Sequence, residues 1–182
     1  MRYKLLGPSG LRVSELCLGT MSFGDAWGFG ADQKESHRIL GEFAEAGGNF
    51  IDTANSYAGG ESERIVGEPV APERERWVPS TRYALSVRPD DPNGGGAHRK
   101  GLVQSLEASL RRLGTGYLDP YRVHVGDAFT PVEEVVGALD DVVARARSCM
   151  PSGRTSRRSA ASSSGSRTTS APTASPTATP VP

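Results

Sequence analysis

The chain has 182 residues, room for one domain. Its 21 Lys and Arg balance its 21 Asp and Glu, so the totals point to neither a nucleic-acid nor an acidic partner. Two cysteines, Cys17 and Cys149, suit a reducing, cytoplasmic compartment and give no metal spacing, while no signal peptide and no run near the ~20 apolar residues of a membrane helix is visible.

Residues 3–6 and 11–13 flank Gly-Pro-Ser-Gly, a turn cluster, and predict a β-hairpin. Residues 15–19 form a short apolar strand whose exit is Gly19-Thr20-Met21. From the residues alone, Met21 reads as core packing. The stretch 23–30 is rich in Gly and aromatic residues and suits a loop that walls a pocket. A helix follows, with Asp32 as N-cap, Glu35 as its capping-box partner and Gly47 as the stop. Ile39, Leu40 and Phe43 give its apolar face, and His37 is expected to face solvent.

The stretch from Gly48 to Gly67 organises the chain. Residues 49–53 read as a buried strand ending in a polar cluster, and a Gly-Gly turn leads to a helix from about Glu61. Asp52 at the strand end and Tyr57 five residues on put a carboxylate and a phenol at one rim, where parallel barrels build their active sites. Residues 76–82, Arg-Trp-Val-Pro-Ser-Thr-Arg, predict a third strand, but Pro79 inside it argues against a normal central strand. Residues 86–98 are a Gly/Pro/Asp loop, with His98 at the start of the next helix. That helix spans 99–113, with Leu102, Leu106, Leu110 and Leu113 on one face.

Residues 117–124 predict a fourth strand ending at His124. Pro120 and Arg122 both conflict with a buried strand, and an unpaired buried Arg122 would cost several kcal/mol, on the order of a broken buried ion pair, or force the strand out. Thr130-Pro-Val-Glu133 then predicts a helix start, Thr as N-cap and Pro at N1. Valines 132, 135, 136, 142 and 143 and Leu139 form its apolar side. From residue 148 the chain contains no Leu, Ile, Phe, Tyr or Trp. It holds too little apolar area to offset its ordering entropy, so 148–182 is expected to be disordered.

The string Asp52-Thr-Ala-Asn-Ser-Tyr57-Ala-Gly-Gly-Glu-Ser-Glu63 resembles the aldo-keto reductase family, in the branch with Asp-Thr-Ala-x-x-Tyr-x-x-Gly-x-Ser-Glu. Further matches, in family order, run from Arg2 to about Ala144. They include Leu5-Leu-Gly-Pro-Ser-Gly-Leu-Arg-Val-Ser-Glu-Leu-Cys-Leu-Gly-Thr-Met21, Glu45-Ala-Gly-Gly-Asn-Phe50, Ser105-Leu-Glu-Ala-Ser-Leu-Arg-Arg-Leu113 and Val123-His124.

The resemblance implies an α/β fold, an incomplete (β/α)8 TIM barrel of about four βα units in 1–147, with the hairpin plugging its bottom. It implies NADPH-dependent reduction of a small carbonyl compound, or oxidation of the alcohol. Gly19, Thr20, Met21 and Asp52 would lie at the cofactor, Tyr57 would protonate the carbonyl oxygen, and His124 would orient it. The family's catalytic Lys, held by Asp52, would lower the tyrosine pKa; here Arg82 stands at that position, and Arg is no simple replacement at a tight site.

The later strands of the family barrel have no counterpart in 148–182, so a truncated and impaired copy is expected. The string Ala144 to Gly153 can be written in codons that, shifted by two bases, give Ala-Gly-Lys-Val-Leu-Tyr-Ala-Val-Gly, similar to the family's next strand. The tail therefore also reads as out of frame. A non-catalytic cofactor- or partner-binding subunit and a non-functional translation product remain the alternatives. Open strand edges suggest self-association.

Overall fold

The structure, a computed structural model, describes residues 1–149. The expected disordered or out-of-frame tail lies, from residue 150 onward, outside the described residues. Two antiparallel strands, β1 (Tyr3–Leu5) and β2 (Arg12–Ser14), form the predicted hairpin. It sits where the central sheet begins. Tyr3 donates its hydroxyl to the Gly47 carbonyl at 2.6 Å, and Asn49 accepts from Ser14 N at 2.7 Å.

The sheet is parallel, in the order β3 (Leu18–Gly19), β4 (Phe50–Asp52), β5 (Val78–Tyr83) and β6 (Tyr121–Val123). A helix follows each strand: α1 (Gln33–Glu45), α2 (Glu61–Val70), α3 (Arg99–Leu113) and α4 (Val132–Cys149). Four consecutive βα units with adjacent parallel strands are the construction of half a (β/α)8 barrel.

The helix signals operate largely as predicted. Asp32 accepts from Glu35 N at 2.8 Å. The Glu35 side chain, however, turns to Arg38 and does not close the capping box. At the other end Gly47 N donates to Ala44 O and Gly48 N to Phe43 O, the paired bonds of a Schellman stop, with Gly47 at φ +84°. His98 begins α3 by accepting from Gly101 N through Nδ1 at 3.1 Å. Thr130 does not cap α4 with its hydroxyl, which donates to Asp127 instead. His37 is half-buried, with Nε2 2.9 Å from the Ile65 carbonyl, and so does not simply face solvent.

Side-chain alternation assigns the two sheet faces. Leu18 and Ile51 pack with Leu40, Ile65, Val66, Val70 and Leu113 of α1, α2 and α3. Tyr83, Tyr121 and Val123 pack with Leu102 of α3 and Ala138 of α4. Asp52, Ser80, Arg82 and Arg122 therefore share the opposite face, where their side chains bond to one another. Helices α2 and α3 approach closely at Gly67: a Cβ there would meet Arg112 O at 2.7 Å and Leu113 Cα at 2.8 Å.

The objection to the third strand fails for a local reason. Val78 N, Ser80 O and Arg82 O bond toward β4. Pro79 therefore points its missing donor the other way, ahead of the first bond to β6, from Thr81 N to Pro120 O at 3.3 Å. Proline is tolerated where no ladder donor is needed. Pro120 has no N–H of its own, and the β5–β6 ladder starts at its carbonyl, which leaves β6 three residues long. Arg122 is neither buried nor unpaired: its side chain is 48% exposed and bonds to Ser80 and Asp52.

Candidate active site

Four consecutive strand ends deliver the site. Gly19 lies in β3 in register with Asp52 of β4, and Asp52 with Ser80 of β5. Arg82 lies in register with Arg122 of β6, and His124 follows β6 directly, its N–H bonded to Tyr83 O at 2.8 Å. Tyr57 reaches the same place from the β4–α2 connection. The chain there passes through left-handed Ala58, Gly59 and Gly60 at φ of 47°, 64° and 93°. Two glycines make that turn cheap; Ala58 is the strained member.

Buried hydroxyls fix the strand ends. Ser62 lies 2.8 Å from the Thr20 carbonyl and 2.9 Å from the Thr20 hydroxyl, and Thr53 Oγ1 is 3.1 Å from Ser62 Oγ. Thr20 in turn donates to the Asp52 carbonyl at 3.1 Å. Of the three residues expected at the cofactor from this exit, Thr20 is buried in this network. Gly19 has open space where a Cβ would stand, and Met21 is 54% exposed. The nearby loop brings Trp27 edge-on to Tyr57 at 6.5 Å between centroids, with Phe29 at 5.8 Å from Trp27.

Asp52, Tyr57, Arg82 and His124 meet. Arg82 donates through Nη1 to the Tyr57 hydroxyl at 3.0 Å and through Nη2 to Asp52 Oδ2. The Tyr57 and His124 rings meet edge-to-face at 5.8 Å. Arg122, which the sequence marked only as damaging, donates to the other oxygen, Asp52 Oδ1, and through Nε to Ser80 Oγ at 3.1 Å. Arg82 Nε and His124 Nδ1 are buried with no hydrogen-bond partner.

Burial pushes the Tyr57 hydroxyl above its ordinary value, with the Arg122 charge pulling the other way. The expected lowering of this tyrosine by its cation is therefore not the net result. Burial, then the charges of Arg82 and Arg122, hold His124 below the usual imidazole range, so it is neutral at neutral pH. Burial, then Arg122, also lowers Arg82, which stays charged because guanidinium pKa values start so high.

A separate cleft of about 620 Å³ opens between α2 and α3, lined in part by Arg64, Glu68 and Arg111. It contains none of the predicted site residues.

The Aldo/keto reductase family model matches residues 15–147. Norsolorinic acid reductase A of Aspergillus parasiticus is 46% identical over 156 residues, 80% of this chain and 40% of that protein. An aryl-alcohol dehydrogenase of Pestalotiopsis microspora is 42% identical over 156 residues, 80% of this chain and 41% of that protein. A solved aldo-keto reductase from Bacillus halodurans, in its holo form, superposes with a TM-score of 0.71 at 31% identity, covering 80% of this chain and 47% of that one. The chain thus spans about 40% of the length of the curated relatives first matched. Among the described residues no helix is long and apolar enough to cross a membrane.

Proposed function

The chain belongs to the aldo/keto reductase family of oxidoreductases, and we propose that its site reduces aldehydes and ketones with NADPH, with Tyr57 as the proton donor. One observation carries this reading. A phenol has one proton and two lone pairs. Arg82 Nη1 donates to the Tyr57 oxygen, so the hydroxyl proton is left free to donate, beside a neutral His124. His124 keeps one N–H with which to hold a carbonyl oxygen near that proton. Asp52 fixes the Arg82 fork; both its oxygens accept from arginines, so its part in the cofactor site is indirect.

The residues present fit the nicotinamide end of the cofactor: Gly19, with open space beside it, lies in register with Asp52, and the exposed Met21 follows two residues on. Bound NADPH supplies the hydride. The chain's own residues position the carbonyl and deliver the proton, and Trp27 and Phe29 give the substrate an apolar wall. Arg82 slows this chemistry. Its guanidinium divides between Tyr57 and Asp52, where a lysine ammonium would be a compact point charge. A second reading, a non-catalytic cofactor- or partner-binding subunit, draws on the same substitution. Self-association through the edge strands β3 and β6 is proposed as well, since each has one strand neighbour among the described residues. A cytoplasmic setting is proposed from Cys17, a free thiol.

The test is NADPH oxidation with benzaldehyde by the purified full chain. Arg82→Lys is expected to raise the rate, and adding Tyr57→Phe to that variant to lower it by ~10²–10⁴-fold, the usual worth of a positioned acid. Equal rates in Arg82→Lys with and without Tyr57→Phe would overturn the assignment.

A further inference from the structure

On the sheet face opposite the described helices, two arginines share one carboxylate. Arg82 and Arg122 both turn onto Asp52, one to each oxygen. No other carboxylate bonds to either arginine among the described residues. Cys17 lies within electrostatic reach of both guanidiniums, but burial holds its thiol above its ordinary value, so it stays neutral and adds no negative charge. His124 is neutral too, held below its usual range by burial and the same two arginines. The sum over Arg82, Arg122 and Asp52 is one uncompensated positive charge.

The donors left over point to the same need. Arg122 uses Nε on Ser80 and Nη2 on Asp52, and Nη1 has no partner among the described residues. Arg82 Nε is buried without an acceptor, and a buried unsatisfied donor on a charged group is costly. The Arg122 side chain is 48% exposed and that of Arg82 22%, so a ligand can reach Arg122 directly, with the Arg82 charge behind it.

We propose that Arg122, with Arg82, binds the carboxylate of a ligand on this face, so that the carbonyl compounds suited to this site are oxo acids. This rests on the reading of the neighbouring Tyr57–His124 rim as the carbonyl site. A carboxylate fits better than a phosphate. It brings one negative charge, which the site lacks, and a planar pair of oxygens that matches a guanidinium edge. A phosphate dianion would bring an excess charge to a place already holding Asp52. Trp27 and Phe29, partly exposed beside Tyr57, suit an aromatic body on the same ligand.

The experiment is calorimetric titration of the full chain at low salt, in a buffer free of phosphate, with benzoate, with its neutral counterpart benzamide, and with inorganic phosphate. Neither cofactor nor turnover is needed, so a failure here is separate from a failure of the reductase reading. Benzoate is expected to bind once per chain, benzamide at least tenfold more weakly, and Arg122→Gln to weaken benzoate at least tenfold while circular dichroism is unchanged. Arg122→Lys, which keeps the charge and loses the fork, is expected to fall between. Absence of benzoate binding, or equal binding by the chain and Arg122→Gln, overturns the proposal. Phosphate binding as tight as benzoate overturns the carboxylate assignment.

Discussion

Two arginine–carboxylate clusters lie on opposite faces of β5, and they are built differently. On the helix face, Glu63 of α2 is 0% exposed, accepts from Arg112 Nε of α3 at 2.6 Å and from Thr81 Oγ1 of β5 at 2.6 Å. One acid meets one base, and each Glu63 oxygen has a donor. On the other face two arginines meet one aspartate, Arg122 is half exposed, and donors are left over. A closed, charge-matched cluster ties a strand to two helices. An open, unbalanced one is expected to contribute less to the fold and leaves bonding capacity over. The contrast is the one expected between an ion pair that holds the fold and one that serves the proposed ligand site.

The largest expected effect tests the closed cluster. Glu63→Ala leaves Arg112 unpaired in a mostly buried position, and breaking such a pair costs about 3–5 kcal/mol. Urea unfolding of the full chain measures it. A loss below about 1 kcal/mol, the range of surface pairs, would mean that the two clusters do not differ as argued. A second test breaks the same α2–α3 contact without touching charge. In Gly67→Ala the new Cβ falls within 2.8 Å of α3 backbone atoms that cannot swing aside. Overpacking of this kind costs about 1–3 kcal/mol. An unchanged urea midpoint would show that the helices part freely there.

Much of this was legible in the sequence, for identifiable reasons. The hairpin, the Asp32 cap, the Gly47 stop and the bounds of α3 depend on residues close together in the chain. So does the Asp52–Tyr57 spacing, and the strand order then brought Arg82 and His124 to it. What was not legible depends on side and register. Pro79 looked disruptive because the direction of its missing donor is known only once β4 and β6 are placed. Arg122 looked buried because alternation does not say which face lacks helices. Glu63 and Arg112 are 49 residues apart, and no local pattern pairs them. His37 read as solvent-facing because its acceptor, Ile65 O, belongs to another helix.

The open cluster predicts a smaller effect. Arg122→Gln removes a half-exposed partner of Asp52, while Arg82 remains on the other oxygen. Its stability cost should be about 0–1 kcal/mol, as for exposed ion pairs, in the same urea assay that reads Glu63→Ala. A cost comparable to that of Glu63→Ala would make Arg122 a structural residue and remove the distinction between the faces.

A third kind of carboxylate is held by hydrogen-bond donors and, among the described residues, by no cation. Asp127 accepts from Ala97 N at 2.7 Å, Phe129 N at 2.8 Å, and Thr130 N and Oγ1 at 2.7 and 2.9 Å. It joins the loop before α3 to the loop before α4. Those bonds, the Ala97 amide first, hold its carboxyl down at about 2, against ~3.9 in an unfolded chain. A depressed carboxyl stabilises the fold fully above the unfolded value and loses that contribution as pH falls toward the folded one. Asp127→Asn keeps one acceptor oxygen and cannot ionise. The gap in thermal midpoint between the chain and Asp127→Asn should therefore be constant above about pH 5 and close as pH falls through ~4 toward 2. A gap that stays fixed across that interval would mean that shape, and not the negative charge, holds the two loops together.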